Sequence, residues 1–493
     1  MSSSFLLLPR EVRDIIYDYY VCCDGGYVYD FEGNKLVQAN GNHIELALLR
    51  TCHQVAREMN GLALPTNTIT FSTFFSEKTR GSAGQFHAAI SRQKQGKDMF
   101  IEFLGYKLYT PQMATVATAR YPMFEPYITS LASQSGPFFR PRNGNPYGQP
   151  PSLWREFAEF AAGQILEYEE AKTFLVGGPF EKAGPVATDA FFETWAIPND
   201  AELKEFTQTH EFAKDYADYV KYTYSAASLA IRFLQSLSPR TLAQIRTIVL
   251  REDYESVAFP EEHARGLIPF CVENAKLRVE RYVSLWQNAL PVARQLDYTG
   301  VDLGWLRWVT DRSDSDMHLS DPEWLRNDKL AARDITKSIG TWIVEAHRLP
   351  SLGMPEGSYT LVFDGGPMPE KSTAAFAVVQ RDAVWQAAFT TRFPRGSTPE
   401  HPWLNMCAQP GYFFESLPDA IRHITTTSSL IRCNFDPGQL HIDSAKALAD
   451  ARVGWSLERW QDDWDTHEPR EFETESPLPP WYKLRWQRVM PVL

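Results

Sequence analysis

Leu8-Pro9-Arg10-Glu11-Val12-Arg13-Asp14-Ile15-Ile16-Tyr17-Asp18-Tyr19-Tyr20 is the stretch from which the fold is read. Pro9 suits a first helical position, where its missing N–H costs nothing. Val12, Ile15, Ile16, Tyr19 and Tyr20 recur at helical spacing and place one apolar face on an amphipathic helix. Glu11 and Asp14 on the early turns complement the helix dipole. Asp24-Gly25-Gly26 stops the helix near Cys23. Beyond it, Tyr27 to Phe31 and Lys35 to Ala39, joined at Glu32-Gly33-Asn34, predict a hairpin. A second helix is expected from Ile44 to Met59, with Leu48, Cys52, Val55 and Met59 on one side and Asn60-Gly61 as its stop. Asn67-Thr68-Ile69-Thr70-Phe71 then predicts a strand.

Taken together, the Leu8 to Glu11 opening, the segment Leu48-Leu49-Arg50-Thr51-Cys52-His53-Gln54-Val55 and the strand after Asn67 resemble the F-box-like N-terminal domains of large fungal families. A central block is similar to a recurring block of the same families. It comprises Arg246 to Asp253, Ser256-Val257-Ala258-Phe259-Pro260 and His263 to Cys271. The resemblance implies a docking module rather than a catalyst. In F-box proteins the Leu-Pro pair and the apolar face of the first helix press into a groove on the small adaptor of a cullin–RING ubiquitin ligase. Carried over position by position, this implicates Leu8, Pro9, Val12, Ile15 and Ile16 in partner binding, with the remainder of the chain capturing a substrate protein. An F-box is a compact run of three helices; here the hairpin stands between the first helix and the second.

The chain of 493 residues exceeds the usual single-domain size, so several packed units are expected. They are drawn as an F-box-like module at 1–78, a helical connector with a Pro/Gly-rich loop at 79–152, and a large α+β domain at 153–493. A hydrophobic fraction of 44% and 14 tryptophans supply material for a core. The net charge of −12 argues against nucleic-acid and anionic-membrane partners, which demand a clustered basic surface. No run approaches the length of a membrane span, and the opening lacks the pattern of a secretory signal. Six scattered cysteines are expected as reduced thiols of a cytoplasmic or nuclear protein.

Further along, short helices are expected at Ala83 to Arg92 and Pro111 to Arg120, and a long loop at 134–152. Helices follow at Leu153 to Phe174, Thr188 to Trp195 and Asp200 to Leu237. A short one is capped by Ser238, with Pro239 just inside. Strands are expected at Thr247 to Leu250, Tyr359 to Asp364 and Trp481 to Val489, and helices at Leu330 to His347 and Thr373 to Phe389. Helices leading into short apolar strands predict an α+β fold.

His263 and Arg265 with Glu252, Asp253, Glu261 and Glu262 form the densest polar cluster around an apolar segment. Two outcomes stay open: a polar pocket at a strand end, or a buried network of Arg and carboxylates, the more ordinary result. Asp311, Asp314, Asp316 and His318 lack the glycine and distal glutamate of a calcium loop and are expected to be a solvated acidic loop. Trp455, Trp460 and Trp464, with Trp403 upstream, could line a recognition groove or pack as late core; their size favours core. No nucleophile elbow, phosphate loop or zinc spacing occurs, so no catalytic residue, metal or cofactor is expected. The sequence therefore points to an interaction scaffold. The alternatives are a scaffold without ligase docking, and an enzyme with a site near His263 and Arg265.

Overall fold

Ile69, Phe71, Ile248, Leu250, Val279, Val283, Leu361 and Phe363 occupy alternate positions of their strands, and all are buried. Because successive strand residues point to opposite faces, these side chains line one side of a single sheet. The computed structural model describes residues 4–133, 147–168, 171, 192–209, 220–291, 329–394, 407, 409, 411–426, 430–439, 444–466, 470–485 and 487. It is a mixed α+β fold built on that sheet. The strands are β1 (Tyr27–Asp30), β2 (Lys35–Gln38), β3 (Ile69–Ser72), β4 (Thr247–Glu252) and β5 (Arg278–Ser284), then, past β6 (Leu330–Ala331), β7 (Tyr359–Asp364) and β8 (Ile431–Cys433). Their order across the sheet is β2-β1-β3-β4-β5-β7-β8. The β1–β2 hairpin is antiparallel; every other pairing is parallel. β6 pairs separately with β9 (Glu471–Phe472).

Helices pack on the inner side. The first three are α1 (Arg10–Val21), α2 (His53–Met59) and α3 (Ala63–Thr66). They share a small core of Tyr17, Val21, Val55 and Met59, distinct from the main one. The main core collects α4 (Glu77–Phe100), α5 (Pro111–Arg120), α6 (Glu125–Ala132), α7 (Pro151–Leu166), α8 (Asp200–Thr209), α9 (Ala226–Gln235), α10 (Pro239–Leu242) and α11 (Ile268–Glu273). Its later part comprises α12 (Ala332–Arg348), α13 (Pro369–Arg392), α14 (Leu417–Thr426), α15 (Ser444–Ala451), α16 (Leu457–Asp465) and α17 (Trp481–Arg485). Trp460 and Trp464 of α16 are buried in this core, Trp460 edge-on to Trp385 at 5.7 Å. Among the described residues no helix is long and apolar enough to cross a membrane.

Several expectations change. Of the strand expected at Trp481 to Val489, Trp481–Arg485 is instead the helix α17, and Trp486, Arg488 and Val489 lie outside the described residues. The Pro480 carbonyl accepts from Lys483 and Leu484, which closes a first turn, and Trp481 and Leu484 are buried three residues apart. The second helix is shorter than expected. A 3-10 turn at Leu48–Arg50 gives way to an extended Cys52 (φ −159°, ψ 163°), and only then does α2 begin. Within the run from Asp200 to Leu237 the described residues form two helices, with residues 210–219 outside them, and Tyr224 ahead of the second bridges to Phe74. Phe192 to Trp195 are not helical. The 134–146 part of the expected loop, Trp403, and the Asp311, Asp314, Asp316 and His318 group lie outside the described residues. The sheet runs through the boundaries drawn at 78 and 152, because β3 pairs residue for residue with β4, Ile69 opposite Ile248 and Phe71 opposite Leu250.

One side chain ties the N-terminal helices to the sheet. Asn67, buried just before β3, donates to the carbonyls of Val21 (2.7 Å) and Ala63 (2.8 Å) and accepts from the Cys23 N–H (2.8 Å). It thus serves carbonyls near the ends of α1 and α3 that the helices cannot satisfy internally. Next to it Gly26 (φ +71°) lets β1 start against β3, since a Cβ there would stand 2.3 Å from the Thr68 carbonyl oxygen. Replacing Asn67 with Ala removes a hydrogen bond from three backbone groups, one buried and two part-buried, so the urea unfolding midpoint should fall by the equivalent of about 2 kcal/mol.

Candidate functional site

The orientation of α1 is set by one arginine. Arg13 forks onto Glu58 of α2, Nε to Oε2 at 2.9 Å and Nη2 to Oε1 at 2.7 Å. Tyr17 Oη donates to Glu58 Oε2 at 2.8 Å and Gln54 to Oε1 at 3.1 Å. Arg13 Nη1 also donates to the carbonyl of Leu8, which fixes the Leu-Pro approach to the helix. Paired, bidentate geometry of this kind is directional as well as strong. The Arg13 hydrogen bonds, with those of Tyr17 and Gln54, outweigh desolvation and hold the Glu58 carboxyl at about 2.

With Arg13, Tyr17 and Val21 turned inward, the apolar face of α1 turns out. Val12 (40% exposed), Ile15 (60%), Ile16 (37%) and Tyr19 (83%) form a stripe at i, i+3, i+4 and i+7, with Leu7 (75%) ahead of it. Pro9 is exposed and Leu8 half-buried. The sequence pattern located this stripe but not the polar face that seats the helix. That signal was the Arg13–Tyr17 pair, four residues apart and facing a glutamate of α2.

The second candidate cluster is interior. Glu252 ends β4 and Arg281 lies on β5, both on the inner face; neither is exposed at all. Arg281 donates to Glu252 Oε1 from Nε (2.9 Å) and Nη2 (2.7 Å), and to the Pro260 carbonyl. Its guanidinium lies 4.8 Å from the centroid of Trp342. The Glu252 carboxylate accepts from the backbone of Ala226 and Ala227 at the start of α9, where the helix dipole favours an anion. Burial opposes the Arg281 charge, but Glu252 and Tyr359 more than compensate and its pKa is raised.

His263 is fully buried. Its Nε2 donates to the Ala258 carbonyl (2.8 Å), and its Nδ1 accepts from Ser225 (2.7 Å) or Ser228 (3.1 Å). Ala258 and Phe259 both have positive φ, +61° and +60°, a costly conformation for residues with a Cβ. His263 clamps this turn from the carbonyl side, and His87 Nδ1 accepts from the Ala258 N–H. Burial, with Arg281 and Arg155 nearby, lowers His263 to about 3.

The other expected members pair elsewhere. Arg265 meets Glu156, which also holds Arg348 (2.6 Å). Glu262 meets Arg155. Glu261 is half-buried as a residue, yet burial of its carboxyl, with Glu345 nearby, pushes it up to about 7. Glu345 takes the Ser152 N–H on Oε1 (2.8 Å), and burial raises its pKa. His263, Arg265, Glu261 and Glu262 therefore do not converge on a common point; they stitch α7, α9, α12 and the β4–β5 connection together. A cavity of about 820 Å³ lies beside them, lined by Phe192, Trp195, Glu202, Phe206 and Arg232 among others, and none of those four residues lines it. Arg281 was missed in the sequence because β5, alternating Arg278, Glu280 and Tyr282 with its inner residues, looks too polar for an inner strand.

No group of His, Cys, Asp and Glu that could hold a metal occurs among the described residues. Comparison with protein-family models, with curated proteins and with solved structures finds no match.

Two pH dependences follow. Glu58 is depressed in the folded state, so its contribution is complete above about pH 4.5 and is lost as pH falls toward 2. Amide exchange in α1 should rise over that window in the wild type, whereas Glu58→Gln should show fast, pH-independent opening. His263 is likewise depressed, so the unfolded chain takes up its proton first. Stability should fall as pH drops from 6.5 to 3, by on the order of 1.4 kcal/mol per unit. His263→Gln should flatten that slope in urea unfolding measured across the range.

Proposed function

We propose that this chain is a protein–protein interaction scaffold whose α1 docks the adaptor of a cullin–RING ubiquitin ligase, leaving the rest of the molecule to hold a substrate protein. The observation that carries this reading is the outward stripe of Val12, Ile15, Ile16 and Tyr19 on a helix seated by its polar side. Large apolar side chains grouped on one exposed helix face mark interaction sites, and helix-in-groove docking uses anchors at this spacing. Leu8, Pro9, Val12, Ile15 and Ile16 are the residues to which the F-box resemblance assigns the contact. No covalent chemistry is needed, which accords with His263 having both ring nitrogens engaged in internal hydrogen bonds.

A second reading, a scaffold that docks some other protein through α1, draws on the β1–β2 hairpin. It separates α1 from α2 and enters the main sheet through β3, so the three N-terminal helices are not a free-standing unit. Pull-down with the purified cullin adaptor distinguishes the two. Wild type should be retained, and Ile15→Asp with Ile16→Asp should reduce retention by roughly tenfold or more with an unchanged far-UV spectrum. Failure of the wild type to bind rejects the ligase reading.

A further inference from the structure

The cavity of about 820 Å³ lies between residues 192–199, the start of α8 and the side of α9 that carries Ile231 and Gln235. A volume of that order holds a small organic molecule. Its apolar wall is seated from behind. Trp195 and Ile231 both close over the backbone of Gly266, where a Cβ would stand 2.7 Å from Cδ1 and Nε1 of the tryptophan and 2.6 Å from Cδ1 of the isoleucine. Phe192 is set edge-on to Phe86 at 6.0 Å and tilted to Phe206 at 5.8 Å, and Phe206 is buried.

The charged lining is mostly anionic. Among the described residues Glu193, Glu202 and Glu205 line the cavity against one cation, Arg232. The Arg232 guanidinium lies 5.1 Å from the centroid of Phe31, just past β1, and Glu193 supports the charge of Arg155. Glu202 and Glu205 stand one turn apart on α8, where side chains are neighbours with Cβ atoms roughly 5–6 Å apart. The Glu202 carboxylate is held in place. Its Oε2 accepts from the Asn199 N–H (2.8 Å), while Asn199 Oδ1 accepts from the N–H groups of Ala201 (2.9 Å) and Glu202 (3.0 Å). This reciprocal capping also engages two donors at the start of α8 that would otherwise favour an anion.

We propose that the cavity binds a small organic amine. Its ammonium head is taken by Glu202 and Glu205, and its apolar body lies against Trp195, Phe192 and Ile231. An ammonium has three donors and can serve two carboxylates at once, through the stronger, charge-assisted kind of hydrogen bond. Aromatic faces beside the carboxylates attract the same charge. An anionic ligand would meet three carboxylates, and a neutral one would forgo the charge-assisted bonds. The site shares no residue with α1, so it stands whether or not α1 docks a ligase adaptor.

The test titrates the full chain into dansylcadaverine, a primary amine on a fluorescent naphthalene body, and follows its anisotropy. Saturable binding is expected, roughly tenfold or more tighter than that of the N-acetylated, uncharged form, and weakening as salt is raised. Glu202→Gln with Glu205→Gln should abolish that preference. Glutamine keeps an acceptor for the Asn199 N–H, so an unchanged far-UV spectrum is expected. Trp195→Leu should weaken the amine by roughly fivefold. Ile15→Asp with Ile16→Asp should bind it like wild type. The proposal is overturned if the amine does not saturate at millimolar protein, if the acetylated form binds equally well, or if the double glutamine variant keeps the preference. It is also overturned if Trp195→Leu leaves the affinity unchanged, or if the α1 variant loses binding, which would place the probe on the α1 stripe.

Discussion

Within the seven-stranded sheet, each strand from β3 onward is added on the same side of the one before it, and that constraint organises the rest of the molecule. It sends the connections to one layer and forces the inner strand faces to be apolar. It also brings the start of α9 against the end of β4. There the sheet accepts a full ion pair, Glu252 with Arg281, in a place without solvent. Removing two charges from water is costly, and several donors share the compensation. Glu252 takes two backbone N–H groups of α9 besides the arginine, and Arg281 reaches the Pro260 carbonyl and stacks on Trp342. The pair therefore joins two strands, a helix start and the connection between β4 and β5. His263 holds the strained Ala258-Phe259 turn in the same connection, which places the central sequence block in an architectural role.

The N-terminal helices solve a different problem. They are joined to the sheet at its edge through Asn67 and β3, but they keep a small core of their own. The Arg13–Glu58 fork fixes which side of α1 faces that core. An amphipathic helix normally buries its apolar stripe. Here the inward side carries a charged fork with Tyr17 and Val21, so the aliphatic side faces outward. Exposure at Ile15 and Tyr19 is thus a consequence of polar chemistry on the opposite face.

Much of the local structure was legible in the sequence. The hairpin at Tyr27 and Lys35, the strands at Ile69, Thr247 and Tyr359, and the helices ending near His347 and Phe389 all follow from period and punctuation. The partnership of strands did not. β5 was hidden because Arg278, Glu280 and Tyr282 alternate with its buried residues, a pattern that suits an open sheet face but resembles a loop when read alone. Trp481 and Tyr482 favour β structure on propensity alone, whereas the paired prolines before them start the helical turn of α17. At the interior site His263 was found, but the charges that surround it come from α7, α12 and β5, far apart in the chain, and periodicity carries no information about such meetings.

The seam between β3 and β4 has a consequence for biosynthesis. β3 ends at Ser72 and its partner begins at Thr247, so about 175 residues must leave the ribosome before that edge can close. At typical elongation rates this is a wait of roughly ten to thirty-five seconds. During it the first three helices have only their own small core, and the hairpin residue Tyr29, with Phe71 and Ile69, lacks the part of the main core that comes later in the chain. A nascent chain in this state is a natural client for chaperones that shield apolar segments, and slow decoding of the long intervening stretch would prolong that dependence.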